Sequence, residues 1–275
     1  MTTTDNTYST PFDFLDRPAI TEFFTSNPGG LTALANAMKL RGPGVDITET
    51  EAERLMAEVL GYTHVGSGSV PFDLMSPDGT TVLDIKRLSA RFIDGEPSTH
   101  YSNEASMCQN FRDEASTDLS AAGDDSDKYA HDWIDGVWRR KISTALEMPL
   151  FSNVEDFLYL YWIRPDAGST GETGARIAMA RVNIDDEWAF TTTKSAKSTH
   201  INDDLPYHAV KVYSSKKRME QRLYVHQLAA ADRLLTLGLD GGVITLGDSP
   251  DDIYHTMQSS TVWYEADDGV KEFFE

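Results

Sequence analysis

The side chains best suited to chemistry lie in residues 70–90, which read VPFDLMSPDGTTVLDIKRLSA. Asp84 and Lys86 are two positions apart in the apolar run TTVLDIKRL, so a strand would place both on one face. Asp73 lies in the preceding run, PFDLM, and the tetrapeptide SPDG between the two runs is typical of a β-turn. The pattern predicts a β-hairpin that can bring two carboxylates and an ammonium group together.

The length of the turn decides whether these three side chains meet. A two-residue loop would place Asp73 opposite Val82, on the face that carries the other two. A three-residue loop with a bulge would shift the register by one residue and turn Asp73 to the other face. Both registers stay open from the sequence alone. The pair Pro77–Asp78 lies in the turn, where we expect it to reverse the chain.

Two carboxylates and a lysine on one small patch indicate a specific kind of site. Like-charged carboxylates held close together need a cation between them, and hard oxygen ligands suit Mg²⁺. Such an ion binds a phosphate oxygen and lowers the pKa of a bound water, and Lys86 would orient that water. These are the parts of a site that hydrolyses phosphodiester bonds. An exposed hairpin with ordinary surface charges is the alternative interpretation.

A capped amphipathic helix is predicted directly before the hairpin. Thr48 is a good N-cap with Glu51 three residues later, and Gly61 ends the pattern. The apolar residues recur at helical spacing, and they are Ala52, Leu55, Met56, Val59 and Leu60. In order, the chain therefore has a glutamate-bearing helix, a Gly-aromatic pair, a Ser-Gly turn, a strand aspartate and Asp-x-Lys.

This order of motifs, over about residues 48–90, resembles the core of the PD-(D/E)xK nuclease superfamily. That superfamily includes type II restriction endonucleases and archaeal Holliday-junction resolvases. The resemblance implies that Asp73 and Asp84 bind the metal, that Lys86 is the catalytic lysine, and that the Ile85 carbonyl completes the metal shell. One residue, Phe72, separates the proline from the acid, which departs from the motif's name.

The resemblance also implies that a helix glutamate adds a further ligand. We favour Glu53, with Glu51 as the second choice and Glu58 as a third, and a solvated helix face is the alternative for each. Ser67 and Ser69 are candidates for phosphate contact, although a role in turn formation competes with it.

Basic clusters elsewhere are candidates for contact with a DNA backbone. Arg139, Arg140 and Lys141 lie in a predicted helix, and Lys194 and Lys197 lie in a hydroxyl-rich segment suited to groove contacts. A further cluster is expected to open a long helix, and its members are Lys216, Lys217 and Arg218. A solvated surface is the alternative for every one of them.

The remaining chain predicts an α/β fold in which a central mixed β-sheet is flanked by helices. We expect one nuclease domain over residues 1–275, with a restriction-endonuclease-like core and added recognition elements. Its parts would be an N-terminal helical part (12–47), a catalytic helix and hairpin (48–90), a polar loop (94–128), and remaining sheet, helices and recognition elements (129–275). Strands are predicted in DFLYLYWI, ARIAMARVNI, HAVKVY and GGVITLG, a polar loop in AFTTTKSAKSTHINDD, and a long helix in KKRMEQRLYVHQLAAADRLLTLG.

Composition limits the classes of function. The 275 residues carry a net charge of −20, which argues against a general nucleic-acid coat. The single cysteine, Cys108, excludes an internal disulfide framework and a cysteine-cluster zinc site. No signal peptide or membrane segment is predicted, so we expect a cytoplasmic protein. Positive charge is nevertheless concentrated in residues 211–222, which hold five bases and one acid.

These observations predict a Mg²⁺-dependent endonuclease for double-stranded DNA, most similar to a type II restriction endonuclease. The resemblance implies a homodimer that cuts both strands and leaves 5′-phosphate and 3′-hydroxyl ends. A structure-specific or repair nuclease of the same fold is the nearest alternative. A non-enzymatic acidic protein that mimics DNA is the alternative from another class.

Overall fold

A computed structural model gives the fold of most of the chain. The residues that it describes are 11–27, 30–31, 34, 49–66, 70–99, 105–107, 134–171, 174–186, 190–195, 198–203, 207–213, 218–237 and 243–244. The predicted helix in GLTALANAMKL falls mostly outside these ranges. Among the described residues, no helix is both long enough and apolar enough to span a membrane.

The described residues include fifteen strands and four α-helices. The strands are β1 (Phe12–Phe14), β2 (Thr63–His64), β3 (Leu74–Met75), β4 (Thr81–Ala90), β5 (Phe92–Ile93), β6 (Glu96–Pro97), β7 (Ala105–Met107), β8 (Asp156–Pro165), β9 (Arg176–Val182), β10 (Phe190–Ser195), β11 (Ser198–Asp203), β12 (His208–Tyr213), β13 (Arg218–Leu223), β14 (Leu235–Leu237) and β15 (Val243–Ile244). The helices are α1 (Arg17–Thr25), α2 (Glu49–Leu60), α3 (Arg140–Leu146) and α4 (Val225–Ala230). A π-helical segment (Ile134–Arg139) runs directly into α3, and a 3₁₀ turn (Pro149–Phe151) follows it.

The main sheet has eight strands and is mixed, which confirms the predicted α/β class with a mixed sheet. Its order is β15-β14-β9-β8-β4-β3-β2, with β1 pairing to β9. Strands β4 and β8 are parallel, whereas the other pairs are antiparallel. The connection from β4 to β8 contains α3, as expected because parallel neighbours need a crossover.

Both faces of the main sheet carry buried apolar side chains, and helices cover each face. In β8 the side chains of Tyr159 and Tyr161 belong to one buried cluster and those of Leu158 and Leu160 to the other. We call these the Tyr159 face and the Leu160 face. The π-helical segment and α3 pack on the Tyr159 face, and α1 and α2 pack on the Leu160 face. This burial on both sides explains why β8 is a continuous apolar run.

Helix α2 confirms the amphipathic pattern that precedes the hairpin. All of its predicted stripe residues are buried in the cluster on the Leu160 face. The helix ends before Gly61, whose φ of +67° is a conformation that a residue with a side chain rarely adopts. The packing of this stripe on Leu74, Leu83 and Ile85 holds α2 against the hairpin.

A second, five-stranded antiparallel sheet has the order β10-β11-β12-β13-β7. It corrects two predictions. The segment AFTTTKSAKSTHINDD contributes the hairpin of β10 and β11, and the predicted loop 94–128 contains β7 of this sheet. The same predicted loop also contains β6, which pairs with β5 in a separate two-stranded sheet. Polar strands escaped detection because both faces of these segments are rich in hydroxyl groups. Most of residues 100–128 lie outside the described ranges.

The long helix predicted over residues 216–238 is wrong. Residues Arg218–Leu223 are strand β13, and only Val225–Ala230 are helical before β14 begins. The apolar and polar residues of RMEQRL fit the period of a strand as well as that of a helix. Pairing with β12 on one side and β7 on the other stabilises the strand.

Burial of α2 against the hairpin gives a first testable prediction. Met56→Ala should lower the free energy of unfolding by about 2–5 kcal/mol, because Met56 is fully buried and a cavity would remain. Urea denaturation followed by circular dichroism measures this value. Glu58→Ala, on the exposed side of the same helix, is the control and should change stability by less than about 0.5 kcal/mol. Equal effects of both substitutions would contradict the packing.

Candidate active site

The turn of the hairpin is built around Asp78. The backbone N–H of Gly79 donates to the Ser76 carbonyl (2.9 Å), which closes a β-turn. The Asp78 carboxylate accepts hydrogen bonds from the Ser76 hydroxyl (2.6 Å) and from the Thr80 backbone N–H (3.1 Å). These bonds hold the pKa of Asp78 below its usual value. Pro77–Asp78 therefore shapes the turn, as predicted, and is not part of the acid cluster.

The hairpin register differs from both predicted ones. Met75 lies opposite Val82 and Leu74 opposite Leu83, so the position expected for Asp73 belongs to Met75. The loop has four residues, since the Ser76 N–H bonds the Thr81 carbonyl (2.9 Å) across it. The register therefore differs by two positions from the one that a two-residue loop would give. A shift by two preserves the face, so Asp73 stays on the side that carries Asp84.

Asp73 is held against β4 by hydrogen bonds from both its backbone and its side chain. Its N–H donates to the Leu83 carbonyl (2.8 Å), and its Oδ2 accepts from the Ile85 N–H (2.7 Å). A strand residue directs its N–H and C=O to the same side, so the Ile85 carbonyl also faces the Asp73 side of β4. The carbonyl that the family resemblance assigns to the metal shell thus lies on the same side as this carboxylate.

A close approach by Gly66 fixes the other side of Asp73. The N–H groups of Val65 and Gly66 donate to the Asp73 carbonyl (2.7 and 3.2 Å). A Cβ on Gly66 would lie 3.3 Å from the Asp73 Cα and Oδ1, which is tighter than ordinary contact. The sequence pattern did not single out Gly66, and its only signal was a glycine in the segment between helix and hairpin.

Asp84 is the most strongly perturbed carboxyl of the described residues. Its side chain is only 9% exposed and accepts a hydrogen bond from Lys86 Nζ. Burial raises the pKa of Asp84 to about 8; the positive charge of Lys86 opposes this rise, and the neighbouring Asp73, through charge and a hydrogen bond, adds to it. The three residues of the predicted constellation are therefore in contact.

An aromatic residue, Tyr159, lies beside the lysine and is itself held by Trp138, and the sequence analysis missed both. Tyr159 lies beside Asp84 in the parallel register of β4 and β8, and Lys86 Nζ is 5.7 Å from the centre of its ring. The Tyr159 hydroxyl accepts a hydrogen bond from Trp138 Nε1 (3.0 Å). Alternating aromatics in DFLYLYWI were a signal for a buried strand, but nothing in that run indicated contact with a charged group.

Glu53 does not join the acid pair. It lies on α2, which packs on the Leu160 face, whereas Asp84 and Lys86 alternate with the residues of the Leu160 face. Its carboxylate bonds His64 Nε2 (2.9 Å) on β2. Glu51 is half-buried and Glu58 is exposed on the same helix. Within the described ranges, no group of three or more His, Cys, Asp or Glu side chains is arranged to hold a metal ion.

The basic candidates on the helix after the hairpin differ from one another. Arg139 bonds the Asp186 carbonyl and pairs with Asp135 (3.5 Å), so its guanidinium interacts with its own chain. Arg140 is exposed and Lys141 is half-buried, on a helix that covers the Tyr159 face. These two remain candidates for phosphate contact.

Several other predicted contact residues lie outside the described ranges, and these are Ser67, Ser69, Lys197, Lys216 and Lys217. Lys194 and Arg218 are both in the second sheet, on β10 and β13. Arg218 begins a strand and not the expected helix.

The arrangement of Asp73, Asp84 and Ile85 can hold a hard divalent cation. Mg²⁺ in proteins is commonly bound through one or two carboxylates, with water and substrate phosphate completing its octahedron. Two adjacent carboxylates and a backbone carbonyl on the same side match that partial shell, and a third carboxylate is not required. A cation would also replace the proton that the raised pKa of Asp84 keeps on the pair.

The raised pKa predicts how stability depends on pH. The folded chain keeps a proton on Asp84 that the unfolded chain releases above pH about 4, so this group lowers stability as pH rises from about 4 to about 8. Asp84→Asn removes that proton equilibrium. Its free energy of unfolding, relative to that of the wild type, should therefore increase between pH 5 and pH 8 in metal-free urea titrations. A difference that does not change with pH would contradict the assignment.

None of three comparisons, with protein-family models, with curated proteins and with solved structures, gives a match for this chain. The geometry of Asp73, Asp84 and Lys86 is therefore the basis on which a function is assigned.

Proposed function

We propose that this protein is a Mg²⁺-dependent endonuclease of PD-(D/E)xK type that hydrolyses phosphodiester bonds in double-stranded DNA. The observation that carries the proposal is the contact between Asp73, Asp84 and Lys86 at the hairpin. The proposed subclass is a type II restriction endonuclease acting as a homodimer. The second sheet, which lies outside the main one, supports sequence recognition because it supplies polar strands in addition to the catalytic hairpin.

The contacts of these three groups support a role in hydrolysis. Asp73 is fixed through one oxygen by the Ile85 N–H, so its orientation is set before any ligand binds. Lys86 Nζ contacts Asp84, so its positive charge would lie close to a phosphate oxygen held at this carboxylate. When bound, Mg²⁺ would supply a Lewis acid that polarises the phosphate and acidifies a water molecule. Lys86 would orient that water and offset the negative charge that develops during attack.

Burial of these charges supports function over stability. A buried ion pair gains little net stability, because the loss of hydration offsets the attraction between the charges. Asp84 and Lys86 nevertheless occupy positions on a face whose neighbours include Val82, Leu88 and Tyr159. Apolar residues at both positions would satisfy the packing at least as well, so a chemical role explains the charges better.

The first test is cleavage of plasmid and phage DNA in Mg²⁺. Asp73→Asn, Asp84→Asn and Lys86→Gln should each reduce the cleavage rate by about 100-fold or more, because each removes a group that stabilises charge in the transition state. Asp78→Asn is the matched control, since it neutralises an acid of the same hairpin whose contacts lie in the turn. This variant should keep its activity.

Discrete fragments from the wild type and the control would support a restriction endonuclease. Cleavage only of branched or damaged DNA would favour the structure-specific nuclease instead. No cleavage of any DNA, methylated or unmethylated, would refute the nuclease proposal and favour an acidic DNA mimic.

A second test measures the metal directly, without DNA. Mg²⁺ should raise the thermal midpoint of the wild type, and a free ion concentration of 100 times Kd would stabilise the fold by about 2.7 kcal/mol. Asp84→Asn should lose this response, whereas Asp78→Asn should retain it. Calorimetric titration with MgCl₂ gives an independent measure of binding. An equal response in both variants would place the ion elsewhere.

A further inference from the structure

The Lys86 side chain turns back along its own strand. In the parallel register of β4 and β8, Lys86 lies opposite Tyr161, and Asp84 lies opposite Tyr159. Lys86 Nζ nevertheless bonds the Asp84 carboxylate and is 5.7 Å from the centre of the Tyr159 ring. The ammonium group is therefore displaced from the position of Lys86 in the register toward the one that Asp84 and Tyr159 share. The side chain is only 13% exposed, so this conformation is enclosed by protein.

The Tyr159 ring is itself held in one orientation. Its hydroxyl accepts a hydrogen bond from Trp138 Nε1 (3.0 Å), and both side chains are at most 2% exposed. Phe12 packs against both of them, with its ring centre 5.8 Å from that of Trp138 and 5.6 Å from that of Tyr159. Phe157 contacts Tyr159 edge-on, with 5.0 Å between ring centres. A ring that is bonded at its hydroxyl and packed on its sides presents a fixed surface to the lysine.

Trp138 reaches this layer from a rare backbone conformation. Residues Ile134–Arg139 are π-helical, and π-helical turns occur frequently at functional sites. Purely apolar rings would fill the same space without burying any polar group, and buried polar groups cost free energy unless they are bonded. The π-helical turn and the buried hydrogen bond from Trp138 to Tyr159 together indicate that the orientation of the Tyr159 ring matters, and not only its bulk.

The Asp84 carboxylate is a weak anchor for Lys86 during hydrolysis. It is also a proposed ligand of Mg²⁺, so the ion and the ammonium group compete for its oxygens. Lysine has a flexible four-carbon stem, so it is held less firmly when its carboxylate partner binds an ion. An aromatic face attracts an ammonium group but is not a ligand for Mg²⁺, which takes oxygen ligands. The Tyr159 ring is thus a partner that Lys86 keeps when Asp84 binds the metal.

We infer that Tyr159 is a positioning residue, whose ring, oriented by Trp138, sets the place of the Lys86 ammonium group during hydrolysis. The ring is buried and acts through the lysine. This inference deepens the proposed function and rests on it. Removal of the ring should lower the rate of the chemical step and leave the binding of DNA unchanged.

The first measurement detects the contact without DNA. The chain has ten lysines, so ¹³C labelling of the lysine ε-carbons gives a simple NMR spectrum, in which Lys86→Gln assigns the Lys86 signal. In the wild type, the Lys86 ε-protons should show an Overhauser contact with aromatic protons, both without and with MgCl₂. Tyr159→Leu should abolish this contact and shift the Lys86 signal, because an aromatic ring displaces the resonances of nearby protons. Tyr159→Phe keeps the ring and should keep the contact.

The second measurement is single-turnover cleavage of DNA in Mg²⁺. Tyr159→Leu should lower the rate at saturating DNA by about tenfold, with less than about a twofold change in the DNA concentration for half-maximal rate. Tyr159→Phe should stay within about threefold of the wild-type rate, because it keeps the ring. In the Lys86→Gln background, Tyr159→Leu should cause no further loss, since its effect passes through the lysine.

Phe92→Leu is the matched control. Phe92 is fully buried in the same cluster, and the Arg176 guanidinium lies 4.9 Å from the centre of its ring. This variant loses a buried ring and a cation–aromatic contact, but not the one at Lys86, so it should keep both the Lys86 signal and the cleavage rate. Thermal melting checks that each variant folds. Tyr159→Met, which fills the space with a flexible side chain, replaces Tyr159→Leu if that variant does not fold.

The outcomes separate this inference from the nuclease assignment. Cleavage that is equally fast in Tyr159→Leu, or equally slowed in Phe92→Leu, would refute the positioning role and leave the nuclease standing. A wild type without the Overhauser contact would refute it as well, as would a loss that persists in full in the Lys86→Gln background. A Lys86 signal that depends on the ring, in a protein that cuts no DNA, would support the contact and refute the nuclease.

Discussion

The two strands that flank β4 pair with it over different lengths, and the candidate site depends on this difference. Strand β8 pairs with it over its full length, whereas β3 pairs with only two of its residues. Beyond Leu83 the Ile85 N–H is bonded by a side chain, the Asp73 carboxylate, at 2.7 Å. A hydrogen bond to a charged group contributes about 1.5–3 kcal/mol, enough to fix the carboxylate in place. The carboxylate thus takes the place of a neighbouring strand at Ile85, and Asp73 is held directly against β4.

The parallel pairing of β4 and β8 has a second effect on the site. It aligns Asp84 with Tyr159 and so places the Tyr159 ring beside the charged pair, within the buried layer of the Tyr159 face. That environment is what raises the pKa of Asp84, since burial is its largest cause. The π-helical segment that supplies Trp138 to this layer runs directly into α3, which carries Arg140 and Lys141. Core packing and the proposed phosphate contacts are therefore organised by the same crossover connection.

Much of the site could be predicted from the sequence, because its motifs are local. The helix stripe, the β-turn and the Asp-x-Lys spacing each depend on a few neighbouring residues. The register of the hairpin could not be predicted, because it depends on the length of the loop. The sequence SPDGT is compatible with several loop lengths that differ by single residues. The hairpin of β10 and β11 was missed because its strands are polar on both faces. Strand β13 was mistaken for a helix because RMEQRL satisfies both periods, and only its neighbours in the sheet decide between them.

The four-residue turn restricts which changes in loop length would leave Asp73 on the same face of the hairpin. Because side chains alternate along a strand, loop changes of two residues keep Asp73 on its present face but slide it by about 7 Å along β4. A change of one residue would instead bury the acid in the layer that receives α2. Insertions in this loop are therefore confined by geometry even though Pro77 and Asp78 are exposed, and the Thr80 carbonyl further ties the loop to β8 by accepting from the N–H groups of Glu155 (2.8 Å) and Asp156 (3.0 Å). Related chains that preserve the site are expected to conserve the length of this turn more strictly than its residues.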